Sequence, residues 1–335
     1  MRILLGLVLA AGVLWGGYWF VGARVLDRQV NAWFDAQVAA GAEVGREALT
    51  VAGFPNRFDV TLTAPYARDP QTGWGWRAPF AQVFSMTWKP WHMIAALAPE
   101  QQITAPDGQT LLLKSARLRG SLLLKPGLDL ALNRAVLEGE ALDLISDRGG
   151  HWAVDKLVLA AGVDATWANG MRLGVEAQGL APDPARLAPV ADLGPTLAET
   201  HLDMTLQLQA PVDRHLTAAG FGVTAVHLTD AHLAWGPLVV SARGNLSRGP
   251  DGSAEGEIAI TIDHWQRLPD ALMALGLLRV AEKPWVERAL TLFAGHSDVP
   301  DRVQVSLVSK GGQMTLGGLP LGRTIDLPVA ALPQE

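Results

Sequence analysis

The chain has 335 residues, of which 49% are hydrophobic and 18% charged, and its net charge is −6. This length allows one large domain or two smaller ones, and the apolar content is sufficient for a large core. The acidic balance argues against a phosphate-binding surface for nucleic acid, and the absence of cysteine excludes disulfides, thiolate nucleophiles and zinc sites that need sulfur.

The first predicted element is a transmembrane signal anchor within residues 1–24. Residues 3–23 carry no charge, and a helix of this length is about 31 Å long, close to the thickness of a bilayer's hydrocarbon core. Trp15, Tyr18 and Trp19 lie near its second end, as in an aromatic belt at a headgroup boundary. A cleaved signal peptide is the alternative, although no A-x-A-like site follows the apolar run. The flanking charges are nearly balanced and leave the orientation open.

The next segment predicts a helix near residues 26–38. Its apolar side chains recur at helical spacing and form one stripe: Leu26, Val30, Trp33, Phe34 and Val38. We expect this helix to pack on the folded domain.

Beyond residue 48 the dominant period is two, which predicts β-strands with one apolar face. The clearest alternation occurs in residues 171–178, 202–209 and 257–263, and Gly/Pro/Asp turn signals separate such segments. The stretch GFPNRFDVTLT at 53–63 is interpreted as the start of a strand, with Arg57 and Asp59 forming a surface ion pair on one face.

Helical spacing returns in two places. Residues 182–197 predict one or two short helices, and residues 264–294 predict a helical pair in which a proline opens the second helix. The predicted fold class is therefore α+β and mostly β: a large curved antiparallel sheet, open as a groove or closed as a β-sandwich, with an N-terminal transmembrane helix and a C-terminal helical pair. No linker or change in composition divides residues 25–335, so one domain is predicted.

No catalytic signature is recognisable, and we expect a protein that is not an enzyme and has no cofactor or metal. The G-x-G-x-x-A stretch at 220–225 is followed by strand-like residues, where a dinucleotide site needs a helix. His227 and His232 would face opposite sides of one strand. Glu138 and Glu140 share a face, but they are interpreted as solvated glutamates because a glycosidase pair needs a gap and one desolvated partner.

Four tryptophans within 18 residues form the most distinctive cluster: Trp74, Trp76, Trp88 and Trp91. Three roles are open for them: closing one end of the core, contacting lipid or a membrane, or stacking on a sugar.

The stretches GFPNRFDVTL (53–62), TGWGWRAPF (72–80), WGPLVVSARGNLSRGPDGSAEGEIAITI (235–262) and LGGLPLG (316–322) resemble the Gram-negative family catalogued as domain of unknown function 2125. More distantly, the anchor and strand-rich body are similar to AsmA-like envelope proteins. The first resemblance implies an inner-membrane anchor with the body in the periplasm, and it supplies no catalytic residues. The second implies a curved sheet with an apolar groove, linked to lipid traffic or outer-membrane homeostasis.

Three functions are compared. The first is a membrane-anchored periplasmic protein whose apolar groove binds lipid acyl chains. The second is a structural or assembly factor with a sealed β core that binds other envelope proteins. The third is an envelope hydrolase, which would need His232, Asp230 and a serine within hydrogen-bond reach. The low charge and the one-sided strands favour the first, because exposed apolar faces need a cover.

Overall fold

The computed structural model describes residues 1–215, 222–295 and 299–328. The chain is 51% strand and 22% helix, and the mostly β fold with a large antiparallel sheet is confirmed. Two compact units are distinguished: unit 1 comprises residues 1–124 and 143–149, and unit 2 comprises 125–142 and the described part of 150–335. The single domain over residues 25–335 and the curvature of the sheet stay predictions.

In unit 1 the first element is α1, Arg2–Ala39, one uninterrupted helix of 38 residues. The helix predicted near 26–38 is thus the second part of α1 and continues the apolar segment without interruption. Neither glycine nor proline occurs between Ala23 and Ala39, so nothing breaks the backbone where the composition changes from apolar to amphipathic. The helix ends before Gly41, whose φ of 91° suits only a residue without a side chain.

Unit 1 contains ten complete strands and the end of an eleventh. They are β1 Glu43–Gly45, β2 Ala48–Ala52, β3 Arg57–Thr63, β4 Tyr66–Arg68, β5 Gly75–Arg77, β6 Phe80–Met86, β7 Lys89–Leu97, β8 Glu100–Thr104, β9 Thr110–Lys114, β10 Arg117–Leu124, and residues 143–146 of β11, Leu132–Ser146. The antiparallel hairpins β2–β3 and β6–β7 also pair with each other through β3 and β6. This pairing places the turns β2–β3 and β6–β7 at one end of the same strands.

In its described residues, unit 2 contains the larger part of β11 and nine further strands: β12 His151–Asp164, β13 Gly170–Leu180, β14 Leu197–Leu208, β15 Val223–Trp235, β16 Leu238–Arg248, β17 Ala254–Asp263, β18 Arg302–Lys310, β19 Gln313–Leu316 and β20 Leu319–Arg323. Each pairs with the next in antiparallel orientation. Most of these strands are long, because alternation in this part of the sequence continues without an interrupting proline.

The predicted helices of unit 2 are present. Short 3-10 helices span Pro184–Arg186, Ala188–Leu193 and Trp265–Arg267, and the helical pair consists of α2, Leu268–Ala274, and α3, Lys283–Ala294. They pack on one end of the strands around a core that includes Val190, Leu197, Trp235, Leu238, Ile262, Leu290 and Val303. Trp235 is fully buried and donates its indole N–H to the carbonyl oxygen of Gly194, 2.9 Å away.

Candidate functional site

An aromatic cluster joins α1 to two turns of unit 1. Its members are Trp15, Tyr18, Trp19 and Phe20 of α1 together with Phe54, Phe58 and Trp88. Trp15 stacks on Trp88 with ring centroids 6.5 Å apart, and Trp19 stacks on Phe58 at 6.2 Å. The Phe54 and Trp19 rings are perpendicular, with their centroids 5.4 Å apart. The residues predicted as a membrane belt are therefore also packing residues of the folded unit.

The polar tip of each belt residue has a hydrogen-bond partner in a turn or at the start of β3. The Trp15 indole N–H donates to the Asn56 side-chain oxygen at 3.3 Å, and the Tyr18 hydroxyl donates to the carbonyl oxygen of Thr87 at 2.9 Å. The third bond runs from the Trp19 indole N–H to a carbonyl oxygen of β3. Buried aromatic N–H and O–H groups need such partners, most of all where water is scarce.

Glycines of α1 bring the helix close to the strands. A Cβ atom at Gly22 would lie 2.6 Å from the Phe58 ring, whereas one at Gly17, on another face, would meet nothing within 4 Å. Phe58 is buried at 4% exposure, so its ring has little room to move. The absence of a side chain at Gly22 thus lets α1 rest directly on β3.

The four clustered tryptophans are divided between different environments. Trp88 joins the aromatic cluster and remains 56% exposed. Trp76 is half-buried in β5 and donates to the Gln101 side-chain oxygen at 2.9 Å, while Trp74, 49% exposed, precedes that strand. Trp91 is half-buried in β7. Lipid contact by these residues stays a prediction, and the stacking of Trp88 on α1 had no signal in the local pattern.

An apolar strip crosses β13 to β18 in unit 2. Directly opposed residues of antiparallel strands share a sheet face, and two rows of such partners form the strip. The first row is Leu173, Met204, Leu228, Gly244, Ile258 and Leu307. The second row is Val175, Leu202, Ala231, Ala242 and Ile260. At about 4.8 Å per strand, the strip is about 24 Å long.

The strip is covered at two sides and half-buried between them. Leu233, Val240 and Ile260 pack against the core beneath α2 and α3. On the other side, Leu206 and Val226 pack around Met171, Leu208 and Val223 with Leu132 and Val212. Within the described residues, Met204, Leu228 and Ile258 belong to neither cluster, and each is half-buried. On β12, Leu159 and Val163 of the same face are 37% and 39% exposed.

The opposite face of these strands is polar and partly charged. Arg172 donates two hydrogen bonds to Asp203, at 2.7 and 2.6 Å, which lower the pKa of that buried carboxyl. The pKa of Asp164 is lowered first by the backbone N–H of Thr166 and then by hydroxyl groups, including that of Thr205 at 2.9 Å. Carboxylates that accept hydrogen bonds in this way stay ionised at neutral pH.

Of the residues considered for chemistry, His232 lies directly opposite Ser241 of the neighbouring strand β16, and Asp230 and Ser241 line the same pocket. His201 lies 4.0 Å from the Asp230 carboxylate. In the described ranges, no group of three or more His, Asp or Glu residues is placed to hold a metal. The stretch 220–225 begins outside the described residues, and its last three residues start strand β15.

Comparison with known proteins gives one match. The family model described as "Uncharacterized protein conserved in bacteria (DUF2125)" matches residues 19–324. No curated protein and no solved structure matches the chain. The more distant similarity to AsmA-like proteins is not confirmed.

Proposed function

The chain belongs to the bacterial DUF2125 family, and from this premise we propose that it is a membrane-anchored, non-enzymatic protein of the cell envelope that binds lipid acyl chains on the apolar strip. In this proposal α1 crosses the inner membrane once and the remaining chain lies in the periplasm. The bound lipid would cover the apolar surface that the half-buried side chains of the strip leave exposed.

The observation that supports the proposal is the incomplete burial of the strip. A sealed β core would bury Met204, Leu228 and Ile258 as completely as Ile262, which is 4% exposed. Covering apolar area is favourable by about 25 cal/mol per Å². An acyl chain can supply this cover because the strip presents side chains without hydrogen-bonding groups along its whole length.

The packing of α1 supports a retained anchor. The helix has mean hydropathy 1.9 over its best window, and only 6% of that window is buried, so by length and composition it can cross a membrane. Trp19 and Ala23 are nevertheless 7% and 9% exposed, in a small core with Phe58. Cleavage after the apolar run would remove both residues from that core.

Photolabelling tests acyl-chain binding. The full-length protein is reconstituted in vesicles that contain a phospholipid with a diazirine in its acyl chain, irradiated, and digested for peptide mass spectrometry. We expect labelled peptides from β13–β18 in addition to those from α1. Labelling confined to α1 would reject the strip as the lipid site.

Reporter fusions test the orientation. Alkaline phosphatase fused after residue 335 folds only outside the cytoplasm, whereas green fluorescent protein exported in the unfolded state stays dark. We expect an active phosphatase and a dark fluorescent fusion. The reverse pattern would place the body in the cytoplasm and remove the periplasmic part of the proposal.

A further inference from the structure

We infer that unit 1 inserts two turns into the bilayer beside its own transmembrane helix. The inserted surface, called the wedge, consists of Phe54 in the β2–β3 turn, Met86 at the end of β6, and Trp88 in the β6–β7 turn. The partner is the lipid interface itself. This inference rests on α1 spanning a membrane and is independent of acyl-chain binding on the strip.

The length of the apolar part of α1 determines how deeply the wedge lies in the bilayer. Before the first wedge contact at Trp15, only residues 3–14 of the apolar run remain, which is about 18 Å of helix. A hydrocarbon core is about 30 Å thick and needs about 20 helical residues. The span must therefore continue beyond Trp15 toward Arg24, the first charged residue after the run.

The wedge is attached to the part of the helix that this span requires. Trp88 stacks on Trp15, and Phe54 contacts Trp19 and Phe20. Along the axis, Trp15 and Trp19 lie about 14 Å and about 8 Å from Arg24. Side chains in contact with these residues are at the level of the headgroups and upper acyl chains.

The exposed surface of the wedge suits that environment. Phe54, Trp88 and Met86 are 57%, 56% and 42% exposed. Residues 53–56 and 86–88 include no charged side chain. Aromatic side chains at turn tips are unfavourable in water but typical of the membrane interface.

Backbone groups of the two turns form hydrogen bonds that do not require water. Thr87 donates its backbone N–H at 3.1 Å and its hydroxyl at 3.2 Å to the carbonyl oxygen of Asn56, so the two turns are bonded to each other. The N–H groups of Asn56 and Arg57 donate to the carbonyl oxygen of Gly53 at 3.2 and 2.9 Å. Thr87 itself accepts the bond from Tyr18. Unsatisfied backbone groups oppose insertion into a bilayer, and the N–H groups of Asn56, Arg57 and Thr87 have partners within the turns.

The chain has no cysteine, so single-cysteine variants can report the position of the wedge. F54C, M86C and W88C of the full-length protein are labelled with the fluorophore NBD and reconstituted in phosphatidylcholine/phosphatidylglycerol vesicles. L9C marks the bilayer interior, and Q71C, at an exposed turn of unit 1, marks solvent. The readouts are the rate of reduction by aqueous dithionite and quenching by spin-labelled lipids.

We expect reduction at positions 54, 86 and 88 to be at least several-fold slower than at position 71, together with strong quenching by lipids labelled near the headgroup. M86C tests the wedge even if replacement of Phe54 or Trp88 disturbs the ring contacts. If all three wedge positions react as fast as position 71 while position 9 is protected, the inference is wrong and the aromatic surface faces water. If the label at position 9 is also reduced as fast as the label at position 71, α1 does not span the bilayer. Photolabelling of the strip tests acyl-chain binding separately from this result.

Discussion

The indole nitrogen of Trp19 lies 2.6 Å from the carbonyl oxygen of Arg57, so a residue of the apolar helix α1 is hydrogen-bonded to the first residue of strand β3. The two residues are 38 positions apart in the sequence. The stacking of the same indole on Phe58 completes the contact. Helix α1 is consequently a structural part of unit 1.

Replacing Trp19 by phenylalanine tests this hydrogen bond. Trp19→Phe keeps an aromatic ring against Phe58 but removes the N–H donor, and we expect the free energy of unfolding to fall by about 1 kcal/mol. Trp33→Phe, on the same helix at a position 53% exposed, serves as the control and should change little. Thermal unfolding in detergent micelles, followed by circular dichroism, measures both. Equal effects at the two positions would contradict the role assigned to the bond.

A leucine at Gly22 tests the close approach of α1 to β3. Because a Cβ atom there already collides with the Phe58 ring, Gly22→Leu should separate helix and strand and destabilise the protein by about 1–3 kcal/mol. Gly17→Leu places the same side chain where there is open space and should be neutral. Unfolding midpoints of the two variants are compared in one detergent. An unchanged midpoint for Gly22→Leu would show that the packing of α1 on β3 is loose.

Substitutions at two consecutive residues of β17 test the two faces of the sheet independently. Ile258 lies on the apolar strip, and Ala259 is exposed on the polar face. Ile258→Glu places a charge against the acyl chain, and we expect it to lower photolabelling of the strip about tenfold. An unfavourable contact of only about 1.4 kcal/mol is enough to weaken binding by a factor of about ten. Ala259→Glu should leave labelling unchanged. Ile258→Ala provides a milder change, and its labelling should fall less; equal labelling of all variants would exclude the strip.

The pair Arg172–Asp203 predicts a dependence of stability on acid. Hydrogen bonds from Arg172 hold the pKa of Asp203 below its ordinary value of 3.8. A lowered folded-state pKa stabilises the protein above about pH 4, and this contribution is lost as the pH falls through the folded-state pKa. Because the guanidinium is 64% exposed and screened by solvent, we expect Arg172→Gln to cost about 1 kcal/mol at neutral pH.

The pH dependence of this stability difference shows whether Arg172 acts through its charge. The difference in unfolding free energy between wild type and Arg172→Gln should shrink as the pH is lowered below about 4 and Asp203 begins to take up a proton. Arg279→Gln removes the partner of Glu282 at the surface, where Arg279 is 85% exposed, and should have a much smaller effect. A difference that is constant with pH would show that Arg172 acts through packing rather than through its charge.

Local patterns in the sequence predicted several elements directly. Alternation in 202–209 and 257–263 corresponds to β14 and β17, and the proline near the start of α3 corresponds to the beginning of that helix. Arg57 and Asp59 form the expected ion pair at 2.7 Å. These predictions succeeded because side-chain period, proline geometry and same-face neighbours depend on residues only a few positions apart.

Other features depend on distant partners and could not be predicted in this way. The helix predicted near 26–38 continues the apolar helix in one element, since a change of composition is not a helix terminator. The four tryptophans differ in environment because they lie in different strands and turns, and the contact of Trp88 with Trp15 links residues 73 positions apart. Neither is encoded in the spacing of neighbouring residues.

By itself, the sequence determined that an apolar helix precedes a chain of one-sided strands, because helical and extended periods are properties of the local backbone. The tertiary structure decided that the helix is packed into unit 1 through Trp19 and Gly22, and that the apolar rows of unit 2 stay half-buried while their two sides are covered. The physical reason is that burial and aromatic contact arise only when segments far apart in the chain pack together, so periodicity can specify which face is apolar but only packing specifies what lies against it.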